Sequence, residues 1–142
     1  MLNDRISILV VSPQAEDHRS IRAILRRSNW TLHTASSIAE ALGFLETNEV
    51  PVIVCERELP DGSWKDLLEA VADRERPPRV VVMSALAEER FWSEVLNLVG
   101  YDLVLKPLNS SELFRVLGLA ARSWLDRHRA ACETSSFAAA TA

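Results

Sequence analysis

The chain of 142 residues carries 20 acidic and 16 basic side chains, a formal charge of −4, with 48% hydrophobic and 25% charged residues. That balance suits one domain with its own core. No apolar run reaches the roughly 18–20 residues that span a bilayer, no long apolar segment precedes a small-residue cleavage site, and the clustered positive charge of a nucleic-acid footprint is missing. A cytoplasmic protein with no membrane and no nucleic-acid partner is expected.

In chain order, "ISILVVS" from Ile6 reads as a first strand, too apolar to keep a wet face. Ile21, Ile24 and Leu25 then recur at helical spacing. "WTLHTAS" from Trp30 is a second strand, and Ile38, Ala41, Leu42 and Leu45 mark the helix after it. "PVIVCE" from Pro51 is a third strand; it delivers Glu56 to a Pro60-Asp61-Gly62 turn and a helix marked by Leu67, Leu68 and Val71. "RVVVMSA" from Arg79 is a fourth strand, followed by a helical segment with Phe91, Val95, Leu98 and Val99. "LVLK" from Leu103 is a fifth, followed by Leu113, Val116, Leu117 and Ala120. From Ala130, "AACETSSFAAATA" loses periodicity, which predicts a fifth helix ending near Arg129, a domain over residues 1–129 and a disordered tail over 130–142.

Five βα repeats with short connections predict an α/β fold, a parallel sheet covered by helices on both faces. Sites in such sheets lie beyond the carboxyl ends of the strands, which singles out Ser12, Glu56, Ser84 and Lys106. Two cysteines, Cys55 in an apolar run and Cys132 near the C-terminus, give neither a disulfide framework nor metal-ligand spacing.

At these spacings, "ISILVVS", "NWTLHTASSIAEAL", "VIVCERELPDGS", "VVVMSA" and "LVLKPL" together resemble the receiver domain of two-component response regulators, up to about Arg129. The resemblance implies a flavodoxin-like three-layer (βα)5 sheet with strand order 2-1-3-4-5. It also implies a chemistry in which an aspartate accepts a phosphoryl group from a histidine kinase with Mg²⁺ present. Carried over position by position, the phosphoacceptor falls on Glu56, the switch hydroxyl on Ser84, and the lysine on Lys106, followed by Pro107. Three positions depart from the pattern. Ser12 and Pro13 stand where the family places its metal-holding acids, the acceptor is a glutamate, and Leu103 replaces the aromatic rotor.

Mg²⁺ is a hard cation anchored through carboxylates and other oxygens at about 2.0–2.1 Å, which a serine and a proline do not supply as two acids would. Glu56 against Lys106 is expected to be nearly neutral already, with an attraction of about 4 kcal/mol at about 4 Å before desolvation is subtracted. No cofactor is expected, Mg²⁺ binding should be weak or absent, and Glu56 should lock the pocket rather than react. The alternative to a lock is a decayed site with an ordinary ion pair at the sheet's rim. As a mimic of the phosphorylated state Glu56 would be weak, with one charge and two oxygens against a phosphoryl group's three.

The expected function is a stand-alone atypical receiver with no enzymatic activity, acting by protein contact independently of phosphorylation. Its rivals are a conventional Mg²⁺-dependent phosphorylated receiver and a flavodoxin-like nucleotide or flavin binder. The latter is poorly served by "SPQAEDH", which puts a proline and two acids where amides would cradle phosphate.

Other residues carry plainer expectations. Asp61 and Gly62 read as turn residues, and Glu16 and Asp17 as first-turn acids stabilised by the helix dipole. Arg19, Arg22 and Arg26 share one helix face, either a solvated stripe or part of a docking region. Trp64 either crosses the pocket mouth or packs on the third helix. Phe91, Trp92, Leu96, Trp124 and Leu125 exceed what one inward stripe requires. They suggest a surface for a second copy or a partner helix, on the face of the fourth helix, fifth strand and fifth helix; the expected partner is a histidine kinase or another signalling protein. His18, His33 and His128 show no partner in the sequence.

Overall fold

Successive residues of a strand point to opposite faces, so an apolar run with no polar alternation has to be covered on both sides. In the computed structural model, which describes residues 6–26, 28–84, 102–106 and 108–141, this is what the apolar runs do. The strands are β1 (Ser7–Val11), β2 (Thr31–Ala35), β3 (Val52–Glu56), β4 (Glu58–Leu59), β5 (Gly62–Ser63), β6 (Arg79–Ser84) and β7 (Asp102–Leu105). The helices are α1 (Ala15–Leu25), α2 (Ile38–Thr47), α3 (Trp64–Ala72) and α4 (Ser110–Thr141). The helical segment marked by residues 91–99 in the sequence lies outside the described residues.

Five strands form one sheet in the order β2-β1-β3-β6-β7, parallel throughout, which is the 2-1-3-4-5 arrangement of a flavodoxin-like fold. Leu9, Val11, Ile53, Cys55, Val80 and Val82 face α2 and α3, where they meet Ala41, Leu45, Leu67, Leu68 and Val71. Their neighbours Ile8, Val10, Val52, Val54, Val81, Met83 and Val104 face the other way, onto Ile21, Leu25, Leu113, Val116, Leu117 and Ala120 of α1 and α4. Two apolar layers thus share one sheet, and the chain reverses direction of winding between β1 and β3.

Beyond β3, the Pro-Asp-Gly turn joins the two-residue strands β4 and β5, so what reads as a turn in the sequence is a small antiparallel hairpin. Asp61 at its tip reaches across the fold. Its carboxylate accepts the Ile38 and Ala39 N–H groups at 2.9 and 3.0 Å, two donors that the first turn of α2 leaves unpaired. Ser37 caps the same helix by accepting from the Glu40 N–H at 3.2 Å. Gly62 adopts φ +152°, and an added Cβ would stand 2.6 Å from Asp66 Oδ2, which accepts the Ser63 N–H, and 2.9 Å from Ile38 Cδ1.

Trp64 is 2% exposed and belongs to the α2/α3 core layer, so it packs under the third helix and does not lie across the pocket mouth. The helix expected to end near Arg129 continues to Thr141. Residues 130–141 contain neither Gly nor Pro and are rich in alanine, the best helix former, so loss of apolar periodicity there is not loss of helix. At about 1.5 Å per residue, α4 is about 48 Å long.

Gly62→Ala should cost about 1–3 kcal/mol, since the backbone lies outside the usual range of L-residues and the Cβ has no room. Gly43→Ala, inside α2 with nothing within 4 Å of the new carbon, should instead stabilise by up to about 1 kcal/mol. Urea denaturation of both variants reads the opposite signs.

The Asp61 hydrogen bonds to Ile38 and Ala39 hold its carboxyl below the usual aspartate value. A depressed pKa contributes stability above the unfolded value, near pH 4, that is lost as pH falls through the folded one. Asp61→Asn should therefore flatten the acid limb of a stability–pH profile and leave its alkaline limb unchanged.

Candidate functional site

The parity that builds the two cores also aims the rim residues. Val52 and Val54 of β3 face the α1/α4 layer, so Glu56, two residues on, points to the same side. Lys106 stands in the same relation to Val104 of β7. On α1 the buried positions are Asp17, Ile21 and Leu25, one stripe at i, i+4 and i+8. The stripe therefore ends, in the first turn of α1, with a carboxylate directed at the tips of β3 and β7.

The three side chains meet. The Lys106 ammonium donates to Asp17 Oδ2 at 3.0 Å and also to Glu56 Oε2. Asp17 Oδ2 accepts a second hydrogen bond, from the Ser12 hydroxyl at 2.6 Å, and Glu56 Oε1 accepts the Arg57 N–H at 3.1 Å. Side-chain exposure is 8% for Asp17, 14% for Glu56 and 19% for Lys106, so water screens the group only in part. Desolvation by burial works against the Lys106 ammonium, but the hydrogen bonds and charges of Glu56 and Asp17 outweigh it and raise its pKa above the ordinary lysine value.

Two expectations need correction. Asp17 is not a solvated acid facing only the helix dipole; it is 6% exposed and paired. The Glu56–Lys106 pair is in turn not a closed, neutral unit, because two carboxylates against one ammonium leave a formal −1. In sequence, an acid in a first helical turn already has an ordinary explanation in the helix dipole. The available signal was its place four residues before Ile21, on the buried stripe.

Ser12 is fully buried, with all three of its polar groups engaged. Its N–H donates to Ala35 O at 3.0 Å, its hydroxyl accepts the Gln14 N–H at 3.1 Å while donating to Asp17, and its carbonyl accepts from His18 Nε2 at 2.8 Å. That last contact gives His18 a partner the sequence did not show, and it ties the β1–α1 turn to the helix. His33 likewise has company, its ring centroid 4.8 Å from that of Phe44. Pro13 is exposed.

Ser84 is buried at the end of β6, and its carbonyl accepts the Lys106 N–H at 2.9 Å, which fixes the lysine's backbone beside the pocket. Cys55, one residue before Glu56, donates to the Glu56 carbonyl at 3.1 Å. Burial, and after it the Glu56 charge, push its thiol far above the ordinary value, so it stays protonated and unreactive.

Leu103 has its backbone in β7, and its side chain lies outside the described residues, as do Pro107, Phe91, Trp92 and Leu96. Trp124 is 8% exposed, which removes it from the expected interaction surface: it lies on the inward stripe with Leu117 and Ala120. Leu119 and Leu125 of α4 are the large apolar side chains that face outward among the described residues, 54% and 46% exposed. Arg19 and Arg22 on α1 and Arg26 at its C-cap are exposed. Among the described residues no helix is long and apolar enough to cross a membrane.

The doubly wound parallel sheet thus carries Glu56 at the tip of its central strand, Ser84 at the end of the next and Lys106 directly after the last. The family model for the response regulator receiver domain matches residues 8–118, and the chain belongs to that family, whose place is in two-component signalling. Among curated proteins it is similar to the acid tolerance regulatory protein ActR of Rhizobium meliloti (strain 1021), with 22% identity over 111 residues. The match takes in 78% of this chain and 57% of that protein, so the chain spans little more than half of its relative.

Among solved structures, the signal receiver domain of an HD domain-containing protein from Pseudomonas fluorescens Pf-5 aligns with TM-score 0.81 at 20% identity, covering 91% of this chain and 96% of that one. The chemotaxis response regulator CheY4 of Vibrio cholerae aligns with TM-score 0.73 at 16% identity, covering 82% and 99%. At such identities these two share the fold with this chain.

Asp17→Ala should destabilise the protein by about 1–3 kcal/mol, because it strips the Ser12 hydroxyl and the Lys106 ammonium of a buried acceptor. An acid held only by the helix dipole would cost about 0.3–1 kcal/mol. Chemical denaturation at neutral pH distinguishes the two.

Proposed function

We propose that this receiver domain works without phosphoryl transfer, as a protein-docking module whose pocket is held in one arrangement by its own side chains. The observation that carries the reading is the single ammonium of Lys106 donating to both Asp17 and Glu56, with Ser12 donating to Asp17 on the far side. Phosphoryl transfer depends on positioning and on neutralising the charge that develops, a task the resemblance assigns to Mg²⁺.

The residues present fit that ion poorly. Pro13 has no acid to offer, the polar groups of Ser12 are taken up in the β1–α1 turn, and Asp17 Oδ2 and Glu56 Oε2 are both directed at Lys106. Glu56 in this reading is a structural anion at the acceptor position, and no cofactor and no turnover are assigned to the domain. Its output is then the shape of its surface, recognised by a protein of the signalling pathway such as a histidine kinase. A ligand can shift a two-state equilibrium only by its differential affinity for the two states, so regulation falls to partners that prefer one of them.

Incubation with phosphoramidate or acetyl phosphate, with and without Mg²⁺, should leave the intact mass unchanged. A Mg²⁺-dependent gain of one phosphoryl group would overturn the reading in favour of a conventional phosphorylated receiver.

A further inference from the structure

We propose that Lys106 is a tethered cation that fills, between Asp17 and Glu56, the place a divalent ion would need, and that Asp17 is the carboxylate that makes the place. This deepens the phosphorylation-independent reading and rests on it for the view that the pocket is held closed.

The two acceptors come from different elements, the first turn of α1 and the tip of β3, and the donor from the end of β7. A cation that bridges them therefore ties one helix to two strands at the carboxyl edge of the sheet. Mg²⁺ keeps most of its waters and is commonly anchored by only one or two protein carboxylates. Asp17 and Glu56 would therefore supply such an ion with two carboxylates only in the absence of the ammonium that now lies between them.

Charge decides the competition. With Lys106 present the three groups sum to −1, and a divalent ion would carry them to +1 while meeting a like charge at close range. Without the ammonium the same ion would bring the pair to neutrality. The ammonium is also attached to the chain, so it does not have to be gathered from solution, and its Ser84-bonded backbone keeps it at the pocket. Cation binding is latent here, suppressed by one side chain.

The test is Mn²⁺ titration followed by the loss of the free-ion EPR signal, with the native protein, Lys106→Met, Lys106→Arg and Lys106→Met/Asp17→Asn. Lys106→Met should bind Mn²⁺ at least about tenfold more tightly than the native protein, Lys106→Arg should stay as weak as native, and the double variant should lose the gain. Equal affinity of native and Lys106→Met, tight binding by Lys106→Arg, or an unaffected double variant would each overturn the inference.

Should Lys106→Met be only marginally folded, its melting temperature is the readout: it should rise with Mn²⁺ while that of the native protein does not, and a flat response overturns the proposal. A failed ion test with an unchanged mass on phosphoramidate removes the tethered cation alone. A phosphorylated native protein removes the phosphorylation-independent reading itself.

Discussion

One ammonium shared by two carboxylates is the constraint on which the carboxyl edge of this molecule depends. Lys106 joins the end of β7 to the tip of β3 through Glu56 and to the first turn of α1 through Asp17. A charge this little exposed needs its partners: the cost of leaving it unpaired exceeds the modest net gain of pairing it. Removing any one of the three therefore disturbs the other two. The Ser12 hydroxyl extends the arrangement into the β1–α1 turn, and His18 closes that turn from the helix side. The edge thus behaves as one connected polar network over an apolar sheet.

The sheet is what brings that network together. Alternation along β3 and β7 sends Glu56 and Lys106 to the α1/α4 side, and the buried stripe of α1 ends at Asp17 on the same side. Turning β3 over by one residue would exchange its apolar side chains between the two core layers and carry Glu56 across the sheet, away from Asp17, so the packing of the two layers also sets the geometry of the site. On the opposite side, Asp61 fastens the β4–β5 hairpin to the start of α2, with Gly62 giving the turn the backbone freedom to do so. The two ties lie on opposite layers and hold the loops after β1 and β3 where they are.

The family relation and the chemistry of the pocket separate cleanly. The order of strands is that of a flavodoxin-like fold, and the match to the receiver-domain family runs through residues 8–118. No acid directly follows β1; the carboxylates that meet Lys106 come from the first turn of α1 and from the end of β3. α4 continues about 23 residues past the end of the family match, a helix built on alanine propensity where the sequence pattern suggested a loose end.

The sequence by itself determined the class of fold, the strand order through its resemblance, and the positions of Glu56, Ser84 and Lys106 at strand ends. All of these follow from local periodicity and from motifs read within a few residues of each other. Tertiary structure decided the rest. That Asp17 faces Lys106 across 89 positions of the chain, that Trp124 and Trp64 are buried, and that Asp61 caps a helix 23 residues upstream are consequences of which surfaces the crossovers bring together. A carboxylate in a first helical turn, an aromatic on a helix and an aspartate in a turn look alike in sequence whether they face water or another element. Only packing supplies the partner that distinguishes the two cases.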